Sequence, residues 1–136
     1  MSMNLLPGIE STASALNVEK VRMNLVAQNI ANANTTSDSD GNVYKRKVIS
    51  FGTALDKATG AEKVVINSIE EDNTPTRWVY NPGHPDANEE GMVEMPNVEV
   101  SREMVDMITS SRSYEANLQM VRTSRQIAKQ VLSIGQ

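Results

Sequence analysis

NVEVSREMVDMITSSRSYEANLQMVRTSRQIAKQVLS, residues 97–133, contains neither glycine nor proline. Helix interiors exclude both, proline because it clashes and lacks a donor, glycine because ordering it costs entropy. Steps of four and three pick out Val100, Met104, Met107, Ser111, Tyr114, Leu118, Val121, Arg125, Ala128 and Leu132. All but Ser111 and Arg125 are apolar or aromatic, which is the narrow seam of a coiled coil rather than the broad face of a globular helix. At a rise of ~1.5 Å per residue the helix is roughly 55 Å long. A core built from 136 residues cannot cover it.

The other end of the chain has the same character. No glycine or proline falls between Ile9 and Asn34, and the same steps give Ile9, Ala13, Leu16, Lys20, Met23, Ala27 and Ile30. Between the two helices lie turn-forming pairs, Asp40-Gly41, Thr59-Gly60 and Pro82-Gly83, around runs rich in β-branched residues. These runs predict short strands over 43–51, 63–69 and 77–80. Residues 81–96 show no periodicity. The expected fold is α+β: two long terminal helices with coiled-coil-like seams flank a small middle region of short strands and extended loops. The segments are 1–36, 37–96 and 97–136.

Composition narrows the function. Only five side chains are aromatic, while eight are methionine, a flexible residue suited to adaptable interfaces. There is no cysteine and one histidine, His84, so neither a thiolate metal site nor a histidine-based nucleophile relay is available. Placing Gly41 at position six of a calcium loop puts Thr36 first and Lys47 twelfth, where Asp and Glu are needed. No phosphate-cradling glycine loop exists. The expectation is a protein that is not an enzyme and holds no cofactor or metal. The run Lys45-Arg46-Lys47 reads as a solvated strand edge.

Charge is uneven. Residues 37–100 hold twelve acids and six bases, and residues 101–136 hold three acids and five bases. Such a distribution does not suit nucleic acid, which needs basic charge gathered on one face. It suits copies meeting head to tail, or cations that complement a helix C-terminus. No apolar run is long enough for a membrane span, and no basic residue precedes Lys20 in a leader-like arrangement. The expectation is a protein that is soluble or that leaves the cytoplasm by a route needing no cleaved signal, with no direct membrane insertion.

Both seams need a cover. They can pair with each other in an antiparallel hairpin, but the first helix spans about two thirds of the second. The remainder is an assembly surface for other subunits. The first helix finishes in NIANANTT, residues 29–36, with Asn29, Asn32 and Asn34 interleaved among apolar residues and followed by Thr35. One asparagine can end a helix. A buried one at a helix interface fixes register, because misalignment leaves its amide unpaired. This stretch is expected to align helices of adjacent subunits. The competing reading is a cytoplasmic coiled-coil adaptor or chaperone with one partner.

The stretch Gln28 to Thr36 resembles the first-helix motif of bacterial flagellar rod and hook proteins, the axial family. Ser111 to Asn117, with Arg112, Tyr114, Glu115 and Asn117, resembles their second-helix motif. Tyr80 to Val100, YNPGHPDANEEGMVEMPNVEV, together with the short chain, is similar to the proximal-rod members, with Met92 standing where an aromatic is expected. The resemblance implies a structural subunit that is exported by the flagellar type III apparatus and polymerises helically into the periplasm-spanning drive shaft. It implies as partners the chain itself, other proximal and distal rod proteins, and the export-gate adaptor and ring at the rod base. Tyr80, Pro82, Gly83, His84, Pro85, Asp86, Gly91, Pro96 and Asn97 form its candidate contact loop.

Overall fold

A computed structural model describes residues 7–135. Helix α1 spans Pro7–Ala31 and α2 spans Val100–Ile134, with strands β1 (Lys47–Leu55), β2 (Glu62–Glu71), β3 (Arg77–Tyr80) and β4 (Met92–Met95) between them. The α+β architecture expected from the sequence is the one observed. Pro7 occupies the first helical position, where a missing N–H costs nothing. Asn32 closes α1, its backbone N–H and its Nδ2 both donating to the Gln28 carbonyl at 3.0 and 2.9 Å.

The two helices pack on each other. Asn29, near the end of α1, bonds Glu103, in the first turn of α2, so contact along their lengths requires an antiparallel pair. Counting back from that bond sets Pro7 opposite about position 125 of α2, at equal rises per residue. Beyond Ser124 only Ala128 is even partly covered. The 35-residue α2 overshoots the 25-residue α1.

The covered face of α2 shares one row with the seam expected from hydrophobicity and adds a second row beside it. Glu103, Ser110 and Val121 are the buried positions, flanked by the half-buried Met107, Tyr114, Asn117, Ser124 and Ala128. One heptad row is thus apolar (Met107, Tyr114, Val121, Ala128). The other (Glu103, Ser110, Asn117, Ser124) is polar and mostly small, which no hydrophobic periodicity reveals.

Strands β1 and β2 form an antiparallel hairpin that lies along α1. Lys47 meets Asn29, while Ser11 and Ser14 bond the Glu62 carbonyl and the Val64 N–H at the other end. The lengths match: eight strand steps and eighteen helix steps both cover about 27 Å. A register shift after Ser50 leaves Asn67 unpaired on β2, where it packs 3.0 Å from the position a Gly52 side chain would need.

Strands β3 and β4 form a separate antiparallel hairpin that packs on neither helix. Strand β4 lies within the 81–96 stretch expected as loop. Its four residues, like those of β3, are too few to show alternation, and unlike β3 they include no aromatic side chain. The β1 expectation is displaced: pairing begins at Lys47, because the Tyr44 and Arg46 N–H groups donate to the Thr35 carbonyl and Asn97 Oδ1 rather than to β2.

Candidate functional site

Four chain segments converge where α1 ends and α2 begins, and the residues there are polar. Asn29 is 1 % exposed. Its Nδ2 donates to the Lys47 carbonyl at 2.9 Å and to Glu103 Oε2 at 3.0 Å. Its Oδ1 accepts from the Tyr44 hydroxyl and from the Lys47 N–H, both at 2.9 Å. An amide offers two donors and two lone pairs, so every capacity of this side chain is used within one chain.

Glu103, fully buried, holds two partners. Oε2 accepts from Asn29, and Oε1 accepts from Arg46 Nε at 2.5 Å. The same guanidinium reaches Asp72 at 3.3 Å and Asp106 at 3.5 Å. Burial pushes the Arg46 pKa down, but the Glu103 and Asp72 carboxylates outweigh it and raise it above the ordinary value. Arg46 is thus a permanent cation among three carboxylates. Burial, reinforced by Glu103 and Glu71, raises the Tyr44 phenol and keeps it neutral.

Asn97 completes the junction. Its Oδ1 accepts from the Arg46 N–H at 2.7 Å, and its Nδ2 donates to Asp72 and Thr74 acceptors at 3.0 Å. The segment after α1, the start of β1, the end of β2 and the entry to α2 are thereby tied together. A buried ion pair adds little net stability, since desolvation offsets attraction, but removing one partner is severe. Its effect is geometric: few alternative arrangements satisfy all these groups.

The sequence reading did not find Tyr44, Arg46, Asp72 or Glu103. The Lys45-Arg46-Lys47 run, expected as a solvated edge, has its central residue largely covered while Lys45 is exposed. Glu103 looks like an ordinary acidic residue of a helix first turn, and nothing local distinguishes it. Asn29 was expected to align helices of adjacent subunits, and in the structure its side-chain hydrogen bonds go to Tyr44, Lys47 and Glu103 of its own chain. Asn32 and Thr35 bond locally, and Asn34 is exposed.

The remaining candidate residues differ in exposure. On α1, Ala13 and Ala27 are exposed while Ile9, Leu16, Met23 and Ile30 are half-buried. On α2, Val100, Met104 and Leu132 are exposed, Leu118 is half-buried and Val121 is buried. Arg112 and Glu115 of the second-helix motif are exposed, and Tyr114 and Asn117 are half-buried. The C-terminal half of α2 carries a further stripe that the sequence reading missed: Ala116, Met120, Thr123, Ile127, Val131 and Ile134, all exposed. Steps of four and three put these on one face.

In the contact loop, Tyr80, Pro82, Gly83, Pro85 and Asp86 are exposed, His84 and Asn97 are half-buried, and Gly91 and Pro96 are buried. Gly91 has φ +75°, and a side chain there would meet Tyr80 at 3.0 Å and Pro82 at 3.1 Å. Glycine is required. The Asn81 N–H donates to the Gly91 carbonyl, and Asn88 Oδ1 accepts from the Glu90 and Met92 N–H groups, so the loop is internally bonded. No helix of the described residues is long and apolar enough to cross a membrane.

Residues 89–134 match the family described as flagellar basal body rod FlgEFG protein C-terminal. Over 122 residues the chain is 41 % identical to a flagellar basal-body rod protein FlgC of Agrobacterium fabrum, covering 89 % of this chain and 88 % of the relative. It is 39 % identical to the FlgC of Salmonella typhimurium, covering 98 % and 100 %. To the FlgC of Bacillus subtilis it is 35 % identical, covering 98 % and 99 %.

Proposed function

This chain belongs to the FlgC family of flagellar basal-body rod proteins, and from that premise we propose that it is a structural subunit of the proximal rod, polymerising helically through its terminal helices. The observation that carries the polymerisation is the overshoot of α2. Its last turns expose Ile127, Val131, Leu132 and Ile134 with no element of the described chain to cover them. Burying each of these is worth roughly 1–2 kcal/mol, which favours assembly over the free subunit. The polar junction then holds each subunit as one rigid piece, so torque applied at one end reaches the other through many small contacts.

The same reading supplies partners and place. Other rod proteins, proximal and distal, meet the exposed helix faces, and the export-gate adaptor and ring lie at the rod base. The type III apparatus delivers the chain to the periplasm-spanning rod. The cytoplasmic coiled-coil adaptor or chaperone finds no support among the relatives.

The test is complementation. In a strain deprived of this gene, the wild-type chain restores swimming and is recovered in purified basal bodies. The double variant Ile127→Asp, Val131→Asp is made at normal levels but is missing from them. Failure to find the wild-type chain in basal bodies overturns the reading.

A further inference from the structure

A groove of about 350 Å³ opens between the segment after α1 and the β3–β4 hairpin. Thr36, Val43, Trp78, Asp86, Asn88 and Glu94 line it, and no basic side chain does. Trp78 is 54 % exposed and shares a strand-pair position with Glu94. Each carboxylate already accepts from one hydroxyl, Asp86 from Thr36 at 2.6 Å and Glu94 from Thr76. Each therefore has an oxygen left to accept another donor. An indole face with two carboxylates suits a guanidinium or ammonium group, through cation–π attraction and charge-assisted hydrogen bonds.

The chain carries a matching cationic face. Arg122, Arg125 and Lys129 follow at steps of three and four on α2, all exposed, and no acid occurs after Glu115. None of the three has an ion-pair partner among the described residues. At this spacing they repel one another along the helix. The helix dipole does not account for them, because its influence is confined to the last turn and the last turn of α2 holds no basic residue. Nor can they reach the groove of their own chain. Arg122 lies about 33 Å along α2 from Val100, and the groove is built on the strand just before that residue.

We propose that this groove receives the Arg122–Arg125–Lys129 face of α2 from a second copy of the chain, a head-to-tail contact set by charge and by Trp78. It rests on the rod reading for the place where copies meet, and the test keeps the two apart. The chain has no cysteine, so single cysteines report cleanly. Strains co-expressing Glu94→Cys and Arg125→Cys variants are used to prepare basal bodies, which are treated with a short bis-maleimide. The expected product is a covalent dimer of this chain that neither variant gives alone. In parallel, Arg125→Glu lowers swimming several-fold, and adding Glu94→Arg restores it.

Recovery of the chain without a dimer overturns the contact, and so does cross-linking of Glu94→Cys only to a protein of different sequence. A charge swap that fails to restore swimming also counts against it. If the chain is absent from basal bodies, the rod reading is what fails. The same cross-link on the concentrated purified mixture then decides the groove, its absence overturning the contact.

Discussion

Asn29 and Glu103 are 74 residues apart in the chain and 3.0 Å apart in space, the asparagine amide donating to the carboxylate. Through this bond the last turn of α1 is set against the first turn of α2. Replacing Asn29 by Ala strips one donor from a fully buried carboxylate and leaves the Lys47 backbone and the Tyr44 hydroxyl short of partners. A buried group left unpaired costs ~1–3 kcal/mol, so the variant should lose about 3 kcal/mol or more. For a chain of this size that lowers Tm by about 10 °C. The exposed Asn34→Ala should stay within about 0.5 kcal/mol. Urea melts of the purified variants check this, and equal losses at both positions would contradict it. If Asn32 and Asn34 align neighbouring subunits, the Asn32→Ala, Asn34→Ala chain folds but assembles poorly.

The helices were legible because excluding glycine and proline over 26 residues or more is a property of the sequence itself. Their pairing was less so. Hydrophobic steps selected Val100 and Met104, which are exposed, whereas the structure buries Glu103 and Ser110. Glu103 can be buried there because a distant cation pairs with it, and Arg46, 57 residues away, cannot be inferred from its flanking lysines. That a buried Asn29 needs partners was readable from its chemistry. Which elements supply them was not, since donors and acceptors carry no address. Strand β4 stayed hidden because Met92–Met95 holds no aromatic residue, unlike the equally short Arg77–Tyr80, and lies among glycines and prolines.

Stability should fall at both ends of the pH scale, for different groups. The Thr74 backbone N–H, helped by the Thr74 hydroxyl and Arg46, holds Asp72 below its usual range despite some burial. Asp38 is lowered by the Asn42 and Asp40 backbone N–H groups, and Asp56 by Lys63 and the Ala58 N–H. A carboxylate lowered in the fold adds stability that is complete above its unfolded pKa, near about 3.9. That stability is lost as pH falls through the lower folded value. The raised Tyr44 and Lys63 behave oppositely. Their contributions are complete below the unfolded pKa values, near about 10, and vanish as pH rises through the folded ones. Urea midpoints measured from pH 2 to 11 should form a plateau with two falling limbs, as these shifts require. Asp72→Asn should make the acid limb shallower, and Tyr44→Phe should reduce the alkaline one without abolishing it.

Hydrogen exchange should divide α2 into two parts. Up to Ser124 it is backed by α1, and amides near Glu103, Ser110 and Val121 should be the slowest in the isolated chain. Past that point nearly every side chain is exposed, and an unsupported helical end frays because its few bonds do not offset the entropy of ordering it. Residues 125–134 of the purified chain should therefore exchange at least tenfold faster than 103–121. If neighbouring subunits cover Ile127, Val131 and Ile134 in isolated basal bodies, the contrast should disappear there. Slow exchange over 125–134 in the dilute monomer would mean that this end is ordered without neighbours. Fast exchange there in basal bodies would mean that the exposed stripe is not a contact surface, and the subunits would have to be held through α1 and the two hairpins.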